Sequence, residues 1–210
     1  MKRRSTSSDP AVAQARRQRV AAETARLLAQ GGGDMATARR KAAERLGLRD
    51  PAFLPDADQI REALQAHHRL FSPGHLDPGR LRRQREAALA AMDHFAGFEP
   101  RLAGPVLDGS AGPDDAVVLH LHAEDPDAVA RLLADRGAPA RQQRRRIHLA
   151  GAGATDVPCW ELVADDQAFE LWGLPPSAAR QAPRDPLGGG ALPRASLAAV
   201  ARLLDAPADP

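Results

Sequence analysis

An α+β protein is the fold class this sequence predicts, and three observations predict it. Apolar residues recur at helical spacing up to residue 97, they recur at every second position beyond it, and one further helical stretch interrupts the strand-like runs. The expected organisation is a tail over residues 1–9, a helical region over 10–97, an α+β domain over 98–205 and a tail over 206–210.

In the helical region, Val20, Thr24, Leu27 and Leu28 define a first helix that the run Gly31-Gly32-Gly33 stops. Asp34 is suited to cap a second, with Met35, Ala38, Ala42 and Leu46 on one face, Arg39, Arg40, Lys41 and Arg45 on the other, and Gly47 after its end. Asp56 followed by Gln59 reads as a capping box, opening a third helix with the stripe Ile60, Ala63, Leu64, His67, Leu70 and Phe71 before Pro73-Gly74. A fourth starts near Asp77-Pro78 and carries Leu81, Ala88, Leu89, Met92 and Phe95, with Gly97 closing the region.

The period then changes. Leu102 to Leu107 and Ala116 to His122 read as two neighbouring strands around a tight turn, and Asp125-Pro126 starts a fifth helix over Asp127 to Arg136 that Gly137 stops. Arg144 to Leu149 reads as a third strand. Pro158 to Val163 and Ala168 to Leu174 read as a hairpin closed by Asp165-Asp166-Gln167. An irregular Pro- and Gly-rich loop follows, and Leu197, Val200, Ala201 and Leu204 make a last helix. Five strands with one crossover helix imply a small mixed sheet.

At 210 residues and 43% hydrophobic, the chain is long enough for one sizeable core and a helical extension. The sequence holds 29 Lys and Arg, of which only Lys2 and Lys41 are lysines. Residues 1–100 carry 18 basic and 12 acidic side chains, and the totals of 29 and 27 leave 11 and 15 for the rest, so the halves are +6 and −4. A basic helical half beside an acidic one admits contact with an RNA or DNA backbone, but aromatics at 3% leave little for base stacking. Cys159 is alone, which excludes an intrachain disulfide and fits a reducing compartment. No run reaches the ~18 apolar residues of a membrane span, and the N-terminus lacks a signal peptide's apolar segment, so a cytoplasmic protein without a membrane partner is expected.

Several residues invite chemistry. His120 and His122 share a strand face at i and i+2, a spacing that can chelate zinc, with His148 as a third ligand. Gly109-Ser110 offers backbone N–H groups and a hydroxyl to a phosphate. Arg141, Arg144, Arg145 and Arg146, with Arg39, Arg40, Lys41, Arg82, Arg83 and Arg85, form a basic set from which Arg144 and Arg146 are the phosphate ligands expected beside that turn. Ser110 lacks the Gly-x-Ser-x-Gly context of a hydrolase nucleophile. Cys159 reads as an inert buried thiol, and Trp160 and Trp172 as core anchors.

From about Ala22 to Leu204 the chain resembles a proteobacterial family of nucleotidyltransferase-domain proteins. The matching segments are Ala38-Arg39-Arg40-Lys41-Ala42-Ala43, Leu70-Phe71, Phe98-Glu99-Pro100-Arg101-Leu102, Gly104 to Gly109 and Leu119-His120-Leu121. The resemblance implies a polymerase-beta-type core in which a Gly-Ser turn holds a triphosphate and the following strand presents acids to Mg²⁺ ions. A metal pair needs carboxylates at i and i+2, on one strand face. Here those positions are Ala116 and Val118, while Asp114 and Asp115 are adjacent and would point oppositely. Ser110, Asp115 and Glu170, the last a match for the third acid of active enzymes, are the candidate catalytic residues. A catalytically degenerate protein that binds a nucleotide or phosphate is the first expectation. A weakly active or metal-dependent enzyme and a nucleic-acid-backbone binder are the alternatives.

Overall fold

The computed structural model describes residues 10–30, 35–71, 78–125, 127–149, 152–184 and 190–205, with backbone alone at 68, 69 and 78. The expected tails, the Asp34 cap and the Gly31-Gly32-Gly33, Pro73-Gly74 and Pro126 signals lie outside these residues. The chain forms two compact units, Met1–Pro73 and Gly74–Pro210.

The first unit is helical: α1 (Pro10–Ala29), α2 (Met35–Leu46) and α3 (Ala57–Phe71), with a 3₁₀ turn over Pro51–Phe53. Val20 and Leu27 of α1 pack against Ala38, Ala42 and Ala43 of α2. Small residues on α2 let the two backbones approach closely. Gly47 ends α2 at φ 66°, the left-handed conformation a helix terminus favours. The capping box forms as expected: Asp56 N–H donates to Gln59 Oε1 at 3.2 Å, and Gln59 N–H to Asp56 Oδ1 at 2.8 Å. Ile60 and Leu64 are buried, whereas Leu70 and Phe71, at the end of the expected stripe, are exposed. Glu23 accepts from Arg26 and Arg45, and the Arg26 hydrogen bond is the main reason its carboxyl is held down to about 2.

The second unit is a six-stranded mixed sheet in the order β3-β4-β5-β2-β1-β6. Its strands are β1 (Arg101–Ala103), β2 (Val117–His122), β3 (Arg141–Leu149), β4 (Gly153–Ala164), β5 (Gln167–Leu174) and β6 (Arg194–Ala195). Its helices are α4 (Pro78–His94), α5 (Pro105–Asp108), α6 (Ala128–Asp135), α7 (Ser177–Arg180) and α8 (Leu197–Asp205). β2 and β5 pair in parallel at the centre and every other pairing is antiparallel. β4 and β5 form the expected hairpin, turning through Asp165 and Asp166 at φ 48° and 61°, the paired left-handed conformation of a tight two-residue turn.

One face of the sheet carries the larger core, and Ile147, Leu149, Val157, Leu174 and Ala178 form a smaller buried cluster on the other. Val117, Leu119 and Leu121 of β2, with Phe169 and Leu171 of β5 and Trp160 of β4, pack against Ala88 and Met92 of α4, Val129 and Leu133 of α6 and Val200 of α8. Gly173 adjoins this core: a Cβ there would meet Trp160 Cζ3 and Pro158 Cγ at 3.0 Å. Neither ring can yield without disturbing its neighbours. Gly173→Ala is therefore expected to cost about 1–3 kcal/mol through overpacking, read as a lower denaturation midpoint.

Four features differ from the sequence reading. The boundary falls after residue 73 and not near 98, because α4 lays its apolar stripe on the sheet. The first strand stops at Ala103: Gly104 at φ 71° breaks the extended run and Pro105 starts the short α5. β6 lies in the stretch read as an irregular loop, giving a sixth strand. The two tryptophans anchor different faces: Trp160 pairs with Leu171 and Trp172 with Cys159, so Trp160 sits in the larger core and Trp172 packs against the smaller cluster of Ile147, Leu149, Val157, Leu174 and Ala178.

Candidate functional site

Register decides which candidate residues meet. Paired residues share a face, so Val118 on β2, Glu170 on β5 and Glu161 on β4 form one row on the face away from the core. The next row runs Arg101, His120, Trp172, Cys159, Gln143 from β1 to β3. Ala116 precedes this strand on the same parity and, with Glu161, Phe169 and Glu170, lines a groove of about 270 Å³.

Glu170 is held firmly. Its Oε1 accepts from Arg145 Nε at 2.5 Å and from the Cys159 thiol at 3.3 Å, and Arg145 Nη2 closes an ion pair with the same oxygen. Glu170 is 9% exposed, so the guanidinium supplies the positive charge that a buried carboxylate needs. Cys159 is fully buried, and burial first, then the Glu170 charge, pushes its thiol up to about 12. It is an inert thiol, with no thiolate near neutral pH.

Trp172 stacks on His120 with centroids 4.9 Å apart and planes 25° from parallel, and the Arg145 guanidinium lies 6.0 Å from the Trp172 ring. His120 is 1% exposed, its Nδ1 has no hydrogen-bond partner, and burial, with smaller contributions from Arg194 and His122, drives its imidazole down to about 3. His122 is buried too, with Nδ1 2.8 Å from the Glu99 carbonyl oxygen and Nε2 3.4 Å from Arg194 Nη1. A carbonyl only accepts, so Nδ1 carries the proton and Nε2 is the acceptor facing Arg194.

The other expected site residues stand elsewhere. Ser110 is 1% exposed, and its N–H (2.9 Å) and hydroxyl (2.6 Å) both donate to Asp108 Oδ1. Gly109, at φ 81°, terminates α5, so the turn that was to cradle a phosphate is a closed structural turn. Arg85 of α4 donates to the Val106 and Leu107 carbonyls, and Arg80 to that of Ala111, clamping the loop from outside. Asp115 accepts the Gly112 N–H at 2.6 Å and belongs to that loop, away from Glu170 by strand parity. Arg144 and Arg146 pair with Pro158 and Asp156, and are exposed on the face opposite Glu170. Arg145, one residue between them, is the arginine that reaches the site. Ile147 and Leu149 set that phase: odd positions of β3 face the same side as these two buried residues, a signal present in the sequence.

The zinc arrangement is not assembled. His148 lies on the exposed parity of β3, opposite the face of His120 and His122, and the Arg194 guanidinium already occupies the approach to His122 Nε2. Among the described residues no group of three or more His, Cys, Asp or Glu is placed to hold a metal ion. No described helix is long and apolar enough to cross a membrane. No family model, curated protein or solved structure matches the chain.

Proposed function

We propose that this is a nucleotide- or phosphate-binding protein of nucleotidyltransferase-like organisation that carries no transfer chemistry. The observation supporting this reading is the row Ala116, Val118 and Glu170. A methyl just before β2 and an isopropyl group on it stand where two metal-holding carboxylates belong, beside a third acid whose charge is met by Arg145. Where an active enzyme would neutralise phosphate charge with cations held by acids, this chain offers guanidinium groups directly. Arg101, Arg141, Arg145 and Arg194 share the face with Glu161 and Glu170, leaving four positive charges against two negative ones. Trp172, partly exposed among them, provides a ring on which a base can stack.

Calorimetric titration with ATP, CTP and UTP, with and without Mg²⁺, tests the reading. Binding that persists in chelator, with no pyrophosphate released, is the expected result. No heat with any of the three, or Mg²⁺-dependent release of pyrophosphate, would overturn it. Glu170→Gln sharpens the comparison: it frees Arg145, so binding is expected to hold or tighten, whereas a metal-holding acid replaced by an amide would lose the ligand.

A further inference from the structure

Among the described residues, two arginines on this face lack acidic partners. Arg101 pairs in register with His120, and Arg194 pairs with Ala103, two residues further along β1, so both side chains leave the sheet on the same side as His122. Arg101 Nη1 donates to the Pro100 carbonyl at 3.2 Å, and Arg194 Nη1 and Nη2 donate to the carbonyls of Ala178 and Ala179 at 2.7 and 3.4 Å. These are neutral acceptors. Among the described residues, neither guanidinium has a carboxylate within ion-pair distance.

Half-buried charges are ordinarily matched by opposite ones, because partial desolvation leaves each with an uncompensated cost. Here the cost is compounded. Burial and the neighbouring Arg101 charge both lower the Arg194 pKa, and after burial the same two arginines help to depress His122. Both arginines remain partly exposed, so a solute can reach them from solvent. A tetrahedral oxyanion has the charge to remove the mutual repulsion and enough acceptor oxygens for two guanidinium forks. With the Arg194 fork drawn from His122 Nε2 to the oxyanion, a protonated His122 Nε2 becomes a third donor.

We infer that Arg101, Arg194 and His122 form an oxyanion site that takes a phosphate-class group. The inference rests on the phosphate-binding part of the proposed function and deepens it by naming the residues that hold the oxyanion; it uses neither the Trp172 ring nor the Glu170 row. It also replaces the Gly109-Ser110 turn and the Arg144 and Arg146 side chains as the place where phosphate is held.

The experiment uses the full chain, with inorganic phosphate as probe and chloride at matched ionic strength as control. Thermal melts are expected to show a saturable rise in Tm with phosphate and none with chloride. Arg101→Gln and Arg194→Gln should each weaken apparent phosphate affinity about tenfold or more, the loss of one charge-assisted contact, while Arg144→Gln leaves it unchanged. Arg194 also binds the end of α7, so that variant can fail to fold. NMR titration of the wild-type imidazoles then decides, because phosphate should raise the His122 pKa and chloride at matched ionic strength should not. No phosphate-specific rise in Tm, or a rise kept in full by both variants, overturns the inference.

Nucleoside triphosphates form a second arm. If phosphate binds and the nucleotides do not, the oxyanion site stands and the nucleotide part of the proposed function falls. If nucleotides bind with undiminished affinity to Arg101→Gln and Arg194→Gln, the nucleotide reading stands and this site falls.

Discussion

Tryptophan fluorescence of the second unit is expected to report acid unfolding that begins below pH 6.5 and deepens towards pH 3. The cause is His120. Its folded-state pKa lies near 3 against an ordinary 6.5, so between those limits the unfolded chain binds a proton that the folded chain refuses. The imidazole contributes stability above pH 6.5, and that stability is lost as pH falls towards 3. A displacement of this size amounts to on the order of 5 kcal/mol at most for so deeply buried a group. That is a large share of the ~5–15 kcal/mol that holds a typical domain. His122, also depressed, adds in the same direction. Both tryptophans lie on the sheet, so the signal is separate from the Glu23 cluster of the first unit, which weakens in a lower window, from 4.5 down to about 2. His120→Phe preserves the stack on Trp172 and removes the titrating group, and its midpoint should be nearly flat between pH 6.5 and 4 apart from the smaller contribution of His122. A variant as acid-sensitive as the parent would refute the assignment.

Leu171→Ala is the second large effect. Leu171 has no exposed surface, sits at the centre of the sheet on β5 and packs in the same cluster as Leu119, Trp160 and Met92. Strands on both sides and helices above leave little freedom to collapse into the vacated space. The expected loss is therefore in the upper part of the ~2–5 kcal/mol range for such truncations, seen as a fall in the denaturant midpoint with an unchanged slope. Val163, 68% exposed in the same hairpin, is the internal control, and Val163→Ala should move the midpoint little. Equal effects at the two positions would contradict the burial pattern.

The elements that local chemistry dictates could be read from the chain before its structure. Asp56 and Gln59 cap α3, Gly47 ends α2, and the Asp165-Asp166 turn closes the β4–β5 hairpin, each because a side chain or a backbone conformation satisfies the neighbouring peptide groups. That Ala116 and Val118 share one face and bring no carboxylate to it was equally plain from parity alone. What escaped were facts of long-range register. The run Arg144-Arg145-Arg146 has no apolar alternation of its own, so its phase is visible only through Ile147 and Leu149 beyond it. β6 is two residues long and exists because β1 pairs with it, so no periodicity announces it. Ser110 had the right chemical type for a phosphate ligand, but Asp108, two residues earlier, consumes both of its donors.

The position of β3 has a consequence for how molecules behave in company. Over most of its nine residues it is an outer strand, bridged at His148 by Arg184, and such a strand presents unpaired peptide groups to which another chain could add its own. Arg141, Arg144 and Arg146 project from that margin into solvent. Two copies brought margin to margin would set like charges against each other at closest approach, so these three arginines disfavour that pairing.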